Sequence, residues 1–260
     1  MGQPGEEPLI LVVRVPKSGS KSLMRLAAEA FEDRPQHYVP DTLRREALIS
    51  RWQAFRLQRS QTQNLMKRYG VAALPQALAR IDAAAAAGDL LVGGHADYAT
   101  MREGLSKPVR FVTLLREPGE RARSDYNYAR AGYLRRKPWQ RFDSHIAAKI
   151  AGRHDFEGFL SYQLEHPEAF ADIACAYVGW TPGADLEAHL AASLWEWGVL
   201  EDNEAFARRV SERVGRPLSF GRSNTTREVE QLDIGQAERR LIERLYARDL
   251  ELYERARKGG

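Results

Sequence analysis

The chain contains a single cysteine, Cys175, among its 260 residues. One thiol cannot form an internal disulfide, and it cannot supply a zinc site built on several cysteines. Ala174 and Ala176 flank it, which favours a small buried side chain over a nucleophile. So little cysteine is typical of a protein of the reducing cytoplasm.

Long apolar runs are also missing from the sequence. No stretch reaches the roughly 18 apolar residues that a membrane-spanning helix needs, so the sequence predicts no span. The first eight residues carry two glutamates and no basic residue, which argues against a secretory signal. We therefore expect a cytoplasmic location.

The excess of positive charge is small. The net charge is +4, from 39 basic and 35 acidic residues, and this excess does not by itself indicate a nucleic-acid partner. The basic residues are nevertheless uneven along the chain. Arg135, Arg136 and Lys137 lie together, with Arg130 and Arg141 close by, and such a cluster favours an acidic partner.

The strongest positive signal is the loop that follows the first apolar run. The segment 9–15 is apolar apart from Arg14, and Pro16 ends it. The next apolar positions recur at the spacing of one helix face, namely Leu23, Leu26, Ala27, Ala30 and Phe31. A strand, a tight loop and a helix in this order bring backbone N–H groups and the positive end of a helix together. That arrangement suits a phosphate or a sulfate.

Further apolar runs at 90–92, 109–115 and 195–200 predict three more strands, separated by helical patterns. Strands that alternate with helices indicate an α/β fold, with a P-loop-like parallel sheet flanked by helices. Lys17, His95 and Arg116 each follow the end of a predicted strand. Because ligands of such sheets bind beyond the carboxyl ends of the strands, these three side chains predict one site.

We interpret residues 1–260 as a single domain, because no linker rich in glycine, proline and serine divides the chain. Residues 41–70 are polar and basic around scattered apolar residues, and a helix is predicted from about Pro75 to Gly88. We interpret the whole segment of about 33–88 as a helical insert. A last helix is predicted over 233–258, with Asp233 and Gln236 as a capping box. Arg121 and Arg123 are interpreted mainly as residues of a helix surface.

A nucleotide-hydrolysing P-loop is the obvious competitor for the first loop. Lys21 and Ser22 supply the last two residues of the pattern G-x-x-x-x-G-K-[ST], but its two glycines would fall at Val15 and Ser20. Arg116, rather than an acidic magnesium ligand, follows the strand at 109–115. A P-loop-type small-molecule kinase stays open as an alternative, as does a non-catalytic protein that binds nucleotides or polyanions.

The loop Pro16-Lys17-Ser18-Gly19-Ser20-Lys21-Ser22 resembles the 5′-phosphosulfate loop of sulfotransferases that use 3′-phosphoadenosine 5′-phosphosulfate (PAPS). The segment from Arg116 through Ser124 to Tyr126 looks like the one that holds the 3′-phosphate in that family. Two further segments are similar to the uronyl and heparan-sulfate 2-O-sulfotransferases, namely Arg14-Val15-Pro16-Lys17 and Gly94-His95-Ala96-Asp97-Tyr98. Lys21 and Glu117 depart from the family pattern, which has threonine or glycine and aspartate there. Unlike the Golgi members of that family, the sequence predicts neither disulfides nor a membrane anchor, and a bacterial-type cytoplasmic relative would account for this.

This resemblance implies transfer of a sulfuryl group from PAPS to a hydroxyl of a carbohydrate, without a metal and with adenosine 3′,5′-bisphosphate as the product. It implies that Lys17 stabilises the leaving group and that His95 is the base, with a glutamate as the alternative base. The cofactor-binding set that it implies is Lys17, Ser18, Gly19, Ser20, Lys21, Ser22, Arg116 and Ser124. The carbohydrate acceptor, acidic if the basic residues contact it, would be bound by Arg14, Arg135, Arg136 and Lys137.

Overall fold

The computed structural model describes residues 7–39, 74–141, 144, 146–221 and 232–259. Within these ranges the strands form a five-stranded sheet in the order β2-β3-β1-β4-β5, and each neighbouring pair is parallel. Strand β1 lies at the centre between β3 and β4. The strands are β1 (Leu9–Val13), β2 (Gln36–Val39), β3 (Leu90–Gly93), β4 (Val109–Leu115) and β5 (Leu194–Val199).

Helices connect these strands and cover both faces of the sheet. None of those in the described ranges is both long enough and apolar enough to cross a membrane. They are α1 (Ser20–Ala30), α2 (Leu74–Ala84), α3 (Tyr98–Gly104), α4 (Pro118–Leu134), α5 (Pro138–Arg141), α6 (Ile146–Arg153), α7 (Phe156–Glu165), α8 (Pro167–Phe170), α9 (Ile173–Val178), α10 (Leu186–Ser193), α11 (Asn203–Val214), α12 (Gln236–Leu245) and α13 (Ala247–Lys258).

The central strand is buried on both of its faces. Leu9, Leu11 and Val13 belong to one core, with residues of α3, α9, α10 and α13. Ile10 and Val12 belong to a second core, with residues of α1 and α11. Burial on both faces explains why β1 reads as a continuous apolar run rather than an alternating one. The α/β class and the parallel sheet flanked by helices are therefore confirmed.

Strand β2 lies inside the segment 33–88, which the sequence analysis interprets as a helical insert. The interpretation fails at this strand because its residues, Gln-His-Tyr-Val, are mostly polar and only Val39 is buried. An edge strand of four residues has no apolar run to reveal it. Residues 74–84 form helix α2, as predicted for this part of the segment, with Leu78 and Ile81 buried. The rest of the insert, residues 40–73, lies outside the described residues.

The predicted last helix is two helices, α12 and α13, and the predicted capping box is wrong. Gly235 precedes α12, and no side chain caps its first turn. The first helix ends before Tyr246, whose ring is buried and whose hydroxyl donates to Oε1 of Gln163 at 2.6 Å. Because this tyrosine is buried in the core, the helix does not continue straight through it.

Arg121 is buried in the described structure, so its interpretation as a helix-surface residue is wrong. Its guanidinium lies 3.3 Å from the Asp249 carboxylate, and both residues are about 2% exposed. Asp249 also accepts hydrogen bonds from the amides of Ala174 and Cys175, at the start of α9. The pair therefore ties α4 to α9 and α13, since a buried charge needs both a counter-charge and hydrogen bonds.

Cys175 is fully buried, as the sequence predicts. Burial, with the nearby Asp249 carboxylate, raises the pKa of its thiol far above the ordinary value. The thiol therefore stays protonated at neutral pH, which is typical of a packing residue rather than a nucleophile.

Candidate functional site

The loop between β1 and α1 turns tightly through two left-handed residues. Lys17 has a φ of 66° and Gly19 has a φ of 70°. The amide of Ser18 donates to the Val15 carbonyl, and Gly19 accepts from the amide of Leu23 in the first turn of α1. Such a turn at a helix start directs successive amides toward one point, which makes a concave site for an anion.

The serines of the loop differ in their exposure. Ser18 is 1% exposed, and its hydroxyl has no hydrogen-bond partner within the described part of the chain. Ser22 is also buried, whereas Ser20 is half-buried and Lys21 is exposed at the start of α1. A buried hydroxyl usually has a partner, so the Ser18 hydroxyl fits a loop that binds an anion.

Gly19 provides a prediction for the geometry of this loop. An alanine at this position would have to adopt a positive φ, and its Cβ would lie 2.7 Å from Cδ1 of Leu200. We therefore expect Gly19→Ala to lower the free energy of unfolding by about 1–2 kcal/mol, most of it from the backbone conformation. Urea denaturation measures this difference.

Two other glycines serve as matched controls for this substitution. Gly183 also has a positive φ, but apart from its chain neighbours no described residue lies within 4 Å of an added Cβ, so Gly183→Ala isolates the backbone cost. Gly132 lies inside α4, again with open space around it, and Gly132→Ala should be neutral or stabilising. A Gly19→Ala protein as stable as the Gly132→Ala protein would contradict the left-handed loop.

His95 is fixed to the loop from the β3 side. Its Nδ1 lies 2.8 Å from the backbone carbonyl of Arg14, and the Arg14 guanidinium donates to the carbonyl of Gly93. These two contacts join the ends of β1 and β3. Because a carbonyl only accepts, the Nδ1 of a neutral ring carries the hydrogen and Nε2 carries the lone pair. The Tyr177 ring lies edge-on at 6.1 Å between centroids.

Arg116 contacts the same loop from the β4 side. Its Nη1 lies 3.4 Å from the Lys17 carbonyl, and its Nη2 lies 3.4 Å from the Glu120 carboxylate. Both distances are long for hydrogen bonds to a guanidinium. Glu120 has a shorter contact, at 2.5 Å, with Arg123. The Arg116 fork is therefore only loosely held and can turn to an anionic ligand.

Helix α4 begins immediately after Arg116, and Glu117 caps it. The Glu117 carboxylate accepts from the amides of Gly119 at 3.0 Å and Glu120 at 2.6 Å, and Pro118 occupies the first turn. Glu117 is therefore an acidic helix cap in this chain. A fixed helix start fixes the position of Arg116 relative to β4.

The Lys17 ammonium lies over an aromatic ring and forms no ion pair with the residues that the structure describes. Its Nζ is 3.6 Å from the centroid of the Tyr128 ring, which projects from α4. Burial lowers the pKa of Lys17, with a smaller lowering from the Arg116 guanidinium, while the Asp125 carboxylate opposes them. The site thus holds a partly desolvated cation, which interacts more strongly with an anion than a solvated one does.

The acceptor residues implied by the resemblance do not all lie at the loop. Arg14 does, and it is half-buried. Arg135, Arg136 and Lys137 are exposed beyond the end of α4, where Arg135 Nε donates to the Ala131 carbonyl at 3.2 Å. At 1.5 Å per residue, they lie roughly 10–14 Å along the helix from Tyr128. Their role in acceptor binding stays a prediction.

Two residues near Lys17 were not singled out from the sequence, namely Tyr128 and Asp125. The sequence does hold a signal for Tyr128, because it lies four residues after Ser124 and so shares a helix face with it. Ser124 is half-buried on that face. Tyr126, the last residue of the family-like segment, belongs instead to the core under α4, and its hydroxyl donates to the His154 carbonyl.

Neither a protein-family model nor a curated protein matches this sequence. The relation to PAPS-dependent sulfotransferases is therefore a hypothesis, which the short motifs and the geometry of the site support.

Proposed function

We propose that this chain transfers a sulfuryl group from PAPS to a hydroxyl of a carbohydrate acceptor. The observation that carries the proposal is the convergence of Lys17, His95 and Arg116 on one loop. They follow three adjacent strands, and His95 and Arg116 contact the loop backbone from opposite sides. A base and two cations around an anion-binding loop match the needs of this reaction.

The residues present fit the two anionic ends of such a donor. The loop amides suit the 5′-phosphosulfate, as does the buried hydroxyl of Ser18, which has no partner among the described residues. The loosely held guanidinium of Arg116 suits the 3′-phosphate, because its planar fork matches phosphate oxygens. Ser124, half-buried on the face of α4 that carries Tyr128, would add a hydroxyl to the same group.

PAPS supplies a sulfuryl group whose transfer leaves negative charge on the bridging phosphate oxygen. Lys17 would donate to that oxygen as its bond to sulfur breaks, since a cation there stabilises the transition state more than the ground state. Arg116 and the loop amides would keep the donor in line with the acceptor. No step requires Lys17 to lose its proton.

His95 would accept the proton of the acceptor hydroxyl at Nε2 while the new bond between sulfur and the acceptor oxygen forms. The Arg14 carbonyl supports this role because it holds the hydrogen on Nδ1 and orients the ring. Arg14 itself is the best placed of the basic residues to meet an acidic group of the acceptor. The cluster at 135–137 would contact a more distant part of a longer, acidic carbohydrate.

Titration with adenosine 3′,5′-bisphosphate tests the donor half of the proposal. We expect binding without magnesium, and a 10- to 100-fold weaker affinity, on the order of 1.5–3 kcal/mol, for Arg116→Ala, because a charge-assisted contact is lost. Calorimetry measures the affinity. Arg257→Ala, which removes an exposed arginine of α13, serves as the control for net charge.

Two results would contradict this assignment. One is magnesium-dependent binding of ATP without binding of the bisphosphate, which would favour a kinase. The other is equal affinity of the wild type and the Arg116→Ala protein for the bisphosphate. The acceptor half is tested with labelled PAPS and a panel of desulfated uronate-containing and neutral oligosaccharides. Binding of the bisphosphate without transfer to any of them would favour a non-catalytic binding protein.

A further inference from the structure

We propose that Tyr128 is a positioning residue for Lys17, and that its exposed ring holds the Lys17 ammonium beside the anion-binding loop. This inference rests on the proposed function, because Lys17 is the cation that would stabilise the leaving group. It adds a residue to the site that neither the loop motif nor the Arg116 segment contains.

The position of Tyr128 is unusual for a large aromatic side chain. It is 66% exposed, and among the described residues only Leu134 and Trp139 are comparably large, apolar and exposed. Most large aromatic rings are buried, so an exposed one has little packing to account for it. What the Tyr128 ring does contact is the Lys17 Nζ, at 3.6 Å from its centroid.

The charges that face Lys17 explain why a ring is useful there. On α4 the Asp125 carboxylate raises the pKa of Lys17, and after β4 the Arg116 guanidinium lowers it. Burial lowers it further and is the largest of the three effects. The negative face of an aromatic ring favours the charged ammonium without adding a counter-charge. Tyr128 therefore acts on the pKa of Lys17 in the opposite direction to burial and to Arg116.

A ring also differs from a carboxylate in how firmly it holds the ammonium. An ion pair with a carboxylate would compete with the anionic ligand for Lys17. The Glu120 carboxylate, on the same helix, is in contact with Arg123 at 2.5 Å and with Arg116 at 3.4 Å. The ring thus keeps Lys17 charged and ordered, yet releases it to a phosphosulfate oxygen without breaking an ion pair.

Removing the ring should therefore make Lys17 easier to deprotonate. We expect Tyr128→Leu to move the Lys17 titration to lower pH by about 0.4–1.5 units, because a cation–π contact favours the charged form by that amount. Tyr128→Phe should leave it in place, since it keeps the ring face and removes the hydroxyl. Lys17 acts in its protonated form, so activity is lost as the pH rises through its pKa, and the Leu variant should lose activity at lower pH.

Carbon-13 NMR of the lysine side chains in the full-length chain measures this titration directly. The chain has seven lysines, and Lys17→Arg identifies the Lys17 signal by its absence. The wild type, Tyr128→Phe and Tyr128→Leu are compared across alkaline pH without ligand. A shift in the Leu variant alone supports the inference. An unchanged titration in the Leu variant, or an equal shift in the Phe variant, overturns it.

The same three proteins separate this inference from the proposed function. With labelled PAPS, kcat should fall at a lower alkaline pH in Tyr128→Leu than in the wild type. Tyr128→Phe should keep the wild-type pH profile. If the wild type transfers no sulfuryl group but the NMR shift is seen, the proposed function fails and the contact between Tyr128 and Lys17 stands. If transfer occurs and the titration does not move, only the role of Tyr128 fails.

Discussion

Replacing His95 with asparagine should lower kcat by about 100- to 10,000-fold, because the acceptor hydroxyl loses its general base. The asparagine amide can still donate to the Arg14 carbonyl, which His95 Nδ1 contacts at 2.8 Å in the wild type. The local structure is therefore kept while the lone pair of Nε2 is lost. Initial rates with labelled PAPS at saturating acceptor measure the effect.

The affinity for adenosine 3′,5′-bisphosphate provides the control for His95. We expect it to be unchanged in His95→Asn, because His95 faces the acceptor rather than the donor in the proposed mechanism. A kcat near the wild-type value would transfer the role of base to a glutamate. Loss of bisphosphate affinity equal to that of Arg116→Ala would place His95 in the donor site instead.

Replacing Lys17 with alanine should lower kcat by about 100- to 1,000-fold, which is the usual effect of removing one group that stabilises charge in a transition state. The loop amides and Arg116 remain, so bisphosphate binding should weaken less than turnover. Single-turnover rates with labelled PAPS separate the chemical step from product release. Lys258→Ala, at the exposed end of α13, is the control for loss of one lysine.

A Lys17→Ala protein that binds the bisphosphate far more weakly but turns over normally at saturating PAPS would contradict this role. Lys17 would then contribute equally to the ground state and the transition state, as a simple binding residue does.

The sequence predicts the buried strands of this fold well and its edge strand poorly. The sequence predicts strand β4 with its observed bounds, Val109–Leu115, because burial on both faces makes five of its seven residues apolar. Strand β2 was missed because only Val39 of its four residues is buried. Local patterns place Arg121 on the surface because its partner, Asp249, lies 128 residues later in the chain.

The residues of the site also divide into those that local sequence patterns predict and those that depend on long-range packing. Lys17, His95 and Arg116 could be grouped from the sequence because parallel strands end at one edge of a sheet. The spacing from Ser124 places Tyr128 on the same helix face, but its contact with Lys17 could not be predicted, since that contact depends on how α4 is rotated over the loop. The rotation of a helix is set by packing with distant elements, among them the Arg121–Asp249 pair.

The backbone at position 17 has an evolutionary consequence. A φ of 66° suits glycine or asparagine and costs a lysine on the order of 1 kcal/mol. Laboratory selection of random variants for heat resistance alone would therefore enrich glycine here, whereas selection for turnover would restore lysine. The two selections would therefore favour different residues at position 17. A lysine that is retained there in a population of variants indicates that turnover requires its charge.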